Sequence, residues 1–185
     1  MRAPALLLLP LLLVGCDASG LFQEAPPPYA RLSIQSLDGS RPTAEWTNND
    51  ACFRTFGPPE SALLVWAQGI HGDAIETVAM HARVLGSLRE GKTYAFGGDD
   101  ATAGYMINGD LSCAAGVGCP RWDYHLQGTV HIERRYRDGL LVVVDAVGHR
   151  NARISTKVSP YADTVRVRGQ MLTSNRRIHC PPSSD

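Results

Sequence analysis

The chain has 185 residues, with 18 lysines and arginines against 18 aspartates and glutamates, so its formal net charge is zero and it lacks the basic surplus of an electrostatic nucleic-acid binder. Hydrophobic residues make up 44% and charged residues 19%, a globular balance that excludes a disordered chain, a polytopic membrane protein, a coiled coil and a collagen-like chain. The length favours one domain, and 18 glycines with 12 prolines announce many turns.

The opening residues read as an address. Arg2 supplies a short cationic start, and Leu6 to Val14 is apolar throughout. Such a run is too short for a bilayer, which takes about 20 residues, and suits the apolar region of a signal peptide. It ends in Leu13-Val14-Gly15-Cys16. This resembles the lipobox of bacterial lipoproteins, in which a small residue before cysteine lets a peptidase reach the bond. The resemblance implies cleavage after Gly15, a diacylglycerol on the Cys16 thiol and a triacylated N-terminus, since one acyl chain alone holds a protein only marginally. Residues 1–15 are then a lipoprotein signal peptide, whose loss removes only Arg2 among the charges. Residues 16–29 are a lipidated N-terminus and Pro-rich tether, in which Pro26, Pro27 and Pro28 favour extended polyproline II at about 3.1 Å per residue. Asp17 resembles the inner-membrane retention signal of enterobacterial lipoproteins, a rule that other bacteria do not all follow, so the inner and outer membranes both stay open. The implied location is the bacterial cell envelope, with the domain in the periplasm or at the cell surface.

Beyond Cys16 the cysteines are Cys52, Cys113, Cys119 and Cys180. An even number in an exported chain points to disulfides. Cys113 and Cys119 enclose the short loop Ala-Ala-Gly-Val-Gly, so the preferred pairing is Cys113–Cys119 with Cys52–Cys180. The second bridge would tie the start of the domain to its end, a long loop worth about 4.7 kcal/mol in the chain-entropy model. No Cys-x-x-Cys occurs, and His179 beside Cys180 is one adjacent pair without a ligand framework.

Within the domain, residues 30–185, Ala30 to Gln35 alternates as a strand that Asp38-Gly39 ends. Thr43 to Asp50 carries Trp46 and an Asn-Asn-Asp turn cluster. Ala62 to Ala67 is a short apolar run between Pro59 and Gly69, suited to a buried strand. Residues 73–91 fit two patterns. Asp73 with Glu76 resembles a capping box, Ile75, Val78, Ala79, Ala82, Leu85 and Leu88 recur at helical spacing, and Gly91 could close the helix. Val78, Met80, Ala82 and Val84 equally follow a period of two.

Trp122 to Val147 is the clearest stretch. Trp122, Tyr124, Leu126, Val130 and Ile132 fall on one face and Asp123, His125, Gln127, Thr129, His131, Glu133 and Arg135 on the other, which is a long half-buried strand. Arg137-Asp138-Gly139 supplies a turn and Leu140 to Val144 returns. A two-residue Asp138-Gly139 turn would set Ile132 opposite Asp145 and bring a carboxylate to the apolar face. A three-residue loop with Gly139 left-handed sets Ile132 opposite Val144, Val130 opposite Ala146 and His131 opposite Asp145. The second register keeps the core apolar and is preferred. Ala152 to Val158 and Thr164 to Arg168 alternate again. About seven or eight strands with little helix describe a mainly β fold, an antiparallel β-sandwich or barrel-like single domain with at most one helix. Leu63 to Ala67, then Gly91-Lys92-Thr93-Tyr94, then Gly128-Thr129-Val130-His131-Ile132 before a hairpin resemble some uncharacterised secreted β-sandwich lipoproteins, which implies the same architecture.

Gly86 to Thr93 matches G-x-x-x-x-G-K-[ST], and Leu141 to Asp145 resembles the apolar strand and acidic residue that accompany a phosphate loop. A phosphate cradle needs a helix after the lysine, whereas Tyr94-Ala95-Phe96-Gly97-Gly98-Asp99-Asp100 is a poor helix; a turn at Gly91 leading into a strand fits better. His125 and His131 lie about 20 Å apart along one strand face, too far for one metal, and His71, His81 and His149 show no ligand spacing. His131 beside Asp145 could form a hydrogen-bonded pair. No Gly-x-Ser-x-Gly elbow and no EF-hand pattern occurs. Arg166 and Arg168 share one face, most simply a solvated one. Trp46, beside polar residues, is the best candidate for an exposed ring that could stack on a sugar, although core packing suits it too. The expected function is a lipid-anchored, non-catalytic envelope module that binds an envelope protein or glycan or serves a structural role, with no cofactor, no metal and no nucleic acid. Trp46, His131 and Asp145 are its candidate ligand residues. The alternative is an envelope hydrolase or metal-dependent enzyme using His131 and Asp145; a more distant one is a phosphate-loop nucleotide binder.

Overall fold

The computed structural model of the chain describes residues 23–41, 43–48, 51–56, 62–71, 74–83, 88–96, 104–110, 121–152 and 161–174. Among them there is no helix. Ten strands follow in order: β1 (Tyr29–Ser36), β2 (Ala44–Asn48), β3 (Ala51–Phe56), β4 (Ala62–His71), β5 (Ala74–Arg83), β6 (Thr93–Phe96), β7 (Gly104–Asp110), β8 (Arg121–Arg135), β9 (Gly139–Arg150) and β10 (Thr164–Ser174). All belong to one sheet, and every pairing is antiparallel except a lone parallel bridge between Ser174 and Cys52. The mainly β, antiparallel single domain expected from the alternation is present. Pairing runs β10–β9–β8–β7–β5–β4–β3, and the Ser174–Cys52 bridge brings β3 back beside β10. The sheet therefore curls towards itself with a one-pair seam. β1 lies along the other edge of β10 and carries β2, while β6 and β7 lie end to end beside β8.

The core follows from the period of two. Tyr124, Leu126, Val130 and Ile132 of β8 are buried with Val142, Val144 and Ala146 of β9, Val165, Val167 and Met171 of β10, and Ala30, Leu32 and Ile34 of β1. Residues between them on β8, His125, Gln127 and Thr129, are exposed. Each fully buried aliphatic side chain contributes about 1.5–3 kcal/mol relative to exposure, so the parity of every strand is strongly selected.

Residues 74–83, open between helix and strand on sequence, form a strand. Val78, Met80 and Ala82 are buried, and they meet Ala67, Val65 and Leu63 of β4 across the pairing, while β7 occupies the other edge. The helical spacing is local, whereas the sheet offers backbone partners on both sides. Of the expected strand at residues 152–158, only Ala152 lies within the described residues.

The β8–β9 hairpin corrects the expected register. Ile132 lies opposite Val142 and Val130 opposite Val144, and His131 faces Val143 rather than Asp145. Gly139 is already part of β9, and the described glycines at positive φ are Gly39, Gly91 and Gly169. Tyr136 N donates to Gly139 O at 2.9 Å, which leaves Arg137 and Asp138 at the tip. A loop this tight on its own would put β9 in the wrong parity, and the pairing does start with Arg135 opposite Leu140 and Arg134 opposite Leu141. A bulge between Ile132 and Arg134 then restores an apolar inner face.

Two outside segments fit this irregular hairpin. Gly91 N donates to Ile132 O at 2.7 Å, and Ile132 N donates to Lys92 O at 2.9 Å, so the turn before β6 occupies Ile132 beside the bulge. Beyond it, Arg135 N donates to Glu90 Oε2 at 2.9 Å and its guanidinium to Leu88 O at 2.7 Å. At the tip, Arg137 N donates to Gln23 O at 3.0 Å, Ala25 N donates to Asp138 Oδ1 at 2.8 Å, and the Arg137 guanidinium pairs with Glu24. Residues 23–25 of the expected tether thus lie against the hairpin.

Candidate functional site

The polar face of β8, β9 and β10 gathers the chain's described candidate side chains. Because paired residues sit side by side, the pairing registers define rows across it. One row runs Thr129, Asp145, Arg168 and Ser33; the next towards the hairpin tip runs Thr93, His131, Val143, Gln170 and Arg31; a third at the opposite end runs His125, His149 and Thr164.

Asp145 is held by two arginines. The Arg166 Nε donates to its Oδ1 at 2.9 Å and an Arg166 terminal nitrogen to its Oδ2 at 2.8 Å, a two-point fork, and Arg168 Nε adds a bond to Oδ2 at 3.2 Å. The Arg166 hydrogen bond holds the Asp145 carboxyl below its ordinary range; partial burial opposes this, and Arg168 adds to the lowering. The same contact raises the Arg166 guanidinium. Side-chain exposures of 42% for Asp145, 35% for Arg166 and 54% for Arg168 mean that solvent screens these pairs, so each is worth about 0–1 kcal/mol. A carboxyl lowered by folding stabilises above its unfolded value of about 3.9, and that contribution disappears as the pH falls through the folded value. We therefore expect Asp145→Asn to lower the melting temperature by about 2–4 °C at pH 7, for a change of about 1 kcal/mol, with the gap to the parent closing as the pH falls below the ordinary carboxylate value and through the lowered folded one. Thermal melts across that range check it; a gap of constant size would exclude the ion pairs as its source.

His131 does not pair with Asp145. Its Nδ1 lies 2.9 Å from Thr93 Oγ1 on β6. Asp145 lies opposite Thr129, diagonal to His131 at about 7–8 Å, with its oxygens turned to the arginines of β10. The acid–base pair expected from sequence is thus not formed, and its cause is the two-residue difference in register. Trp46 is in β2, paired through its backbone with Leu32; β10 and β1 separate that strand from β9, and the indole lies outside the described part. So do the Cys52 side chain, Cys16, Cys113, Cys119 and Cys180. Lys92 leads into β6 rather than a helix, with Gly91 left-handed at φ 76° and the Lys92 ammonium 5.2 Å from the Tyr94 ring. That places a turn and a strand where a phosphate cradle needs a helix N-terminus.

Sequence reasoning missed one juxtaposition. His125 and His149 lie directly opposite each other on β8 and β9. Asn151 Nδ2 donates to His125 Nε2 at 2.8 Å, and Thr164 Oγ1 lies 3.3 Å from His149 Nδ1. Nothing in their spacing signals the pair, which exists only through the hairpin register. Among the described residues no three His, Cys, Asp or Glu side chains gather as a metal-binding group. Comparison with protein-family models, with curated proteins and with solved structures returns no match to this chain.

Proposed function

We propose that the chain is a bacterial envelope lipoprotein, held to a membrane through acylated Cys16, whose β domain is a non-catalytic binding or structural module for an envelope protein or glycan. The observation that carries this reading is the opening sequence, an apolar run from Leu6 closed by Leu13-Val14-Gly15-Cys16. Among the described residues no helix is long and apolar enough to cross a membrane. A non-catalytic role is supported by the polar face: Asp145 is taken up by two arginines, and His131, His125 and His149 each contact a neutral Thr or Asn side chain. No described carboxylate activates a described imidazole there.

Two disulfides, Cys113–Cys119 and Cys52–Cys180, belong to the same reading. Their oxidation suits an exported domain. Cys52 is in β3 opposite Ser174, and Cys180 follows Ser174 closely enough in sequence for the chain to return. The anchored end also sets a distance. From Cys16 to Gln23 the chain spans at most about 25 Å, and Gln23 is held at the hairpin tip, so that end of the domain faces the bilayer.

Cys16→Ser tests the anchor. The variant is expected to move from the membrane pellet to the soluble fraction and to stop incorporating labelled palmitate. An unchanged membrane fraction that still takes up label would overturn the proposal.

A further inference from the structure

We propose that His125 and His149 form a surface chelate for a divalent transition-metal ion of the nickel, copper and zinc group. Residues directly opposite on antiparallel strands have Cβ atoms about 4.5–5.5 Å apart, close enough for two imidazoles to meet one ion at about 2.0–2.1 Å each. Both side chains are exposed on the polar face, so a hydrated ion reaches them without disturbing the core. Imidazole is the ligand these ions favour among neutral side chains.

The surroundings hold the rings as metal-binding histidines are held, through the nitrogen that does not ligate. Thr164 Oγ1 lies at His149 Nδ1, which leaves Nε2 for the ion; among the described residues that nitrogen has no hydrogen-bond partner. The Asn151 amide lies at His125 Nε2. A turn of that amide presents its oxygen either to the His125 N–H or to the ion as a third donor. The two guanidiniums flanking the pair among the described residues each have a carboxylate partner: Arg166, one position along β10 on this face, is bound to Asp145, which it shares with Arg168, and Arg150 is paired with Asp163 at 2.8 Å. Two imidazoles leave further coordination positions for water or an incoming ligand, so the site is an open one. It lies at the opposite end of β8 and β9 from the hairpin tip.

The test uses the full chain in detergent micelles, titrated with Ni(II), an ion that does not oxidise thiols, and followed by calorimetry. We expect one equivalent whose affinity falls at least tenfold in His125→Ala and at least tenfold in His149→Ala. The double variant should be no more than about twofold weaker than the weaker single, because either loss already breaks the chelate. His131→Ala, on the same face but outside the pair, should bind as the parent does. Retained affinity, within twofold of the parent, in either single variant would overturn the proposal, and so would an equal loss in His131→Ala. Melting curves of the variants establish that the exposed substitutions leave the fold intact.

Discussion

Gly169→Ala is expected to destabilise the domain by about 3 kcal/mol or more, a fall in melting temperature of about 6–12 °C for a chain of this size. Gly169 sits within β10 between Leu32 of β1 and Val144 of β9, at φ 149°. A Cβ built there would lie 2.0 Å from the Arg31 carbonyl oxygen and 2.9 Å from Leu32 Cα. Both are backbone atoms of a paired strand, so no side chain can swing aside to make room. Holding an L residue in this conformation costs about 1–3 kcal/mol, and pushing β1 away from β10 weakens the pairing that seats Ala30, Leu32 and Ile34. Gly91→Ala is the control. Gly91 is also left-handed, but nothing lies within 4 Å of its added Cβ, so strain alone should cost about 1–2 kcal/mol. Thermal melts of the two variants separate close approach from strain, and equal shifts would show that β1 yields freely.

Tyr124→Ala carries the second large effect, about 3–5 kcal/mol. Tyr124 is fully buried and, among the described residues, the bulkiest such side chain. Its hydroxyl donates to Ala162 O at 2.7 Å, which ties the segment before β10 to β8. That segment is held further by Arg150 N to Asp163 O at 2.8 Å and Ala162 N to Ser36 Oγ at 3.2 Å. Tyr124→Phe keeps the ring and removes the hydroxyl, stranding a buried carbonyl at a cost of about 1–3 kcal/mol. Denaturant titration of both variants partitions the loss. If Phe is as damaging as Ala, the hydroxyl bridge dominates; if Phe is neutral, the ring alone matters and the bridge to Ala162 contributes nothing.

The inner faces of β8, β9 and β10 were legible because alternation is carried by each strand alone. Tyr124, Leu126, Val130 and Ile132 are apolar at every second position where the partner strand is unknown, and they are buried once it is known. The segment from Ala74 to Arg83 was not legible. Its apolar residues satisfy two periods at once, and only β4 and β7 on its flanks select the extended one. The polar face was legible as a face but not as a set of contacts. Alternation puts His131 and Asp145 on it but leaves open which residue each meets, and the opposition of His125 to His149 gives no local sign.

The sequence by itself determined which residues of these strands face the core, because burying an aliphatic side chain outweighs any local preference for the other face. Which residue meets which across the hairpin was decided only in the tertiary structure. A slip of one residue inverts every side chain and is forbidden by the hydrophobic pattern. A slip of two leaves every side chain on its face and is invisible to that pattern. The choice is made at the hairpin itself, by the bulge between Ile132 and Arg134 and the tight tip at Arg137 and Asp138 that residues 23–25 clasp. That choice separates His131 from Asp145 and sets His149 beside His125.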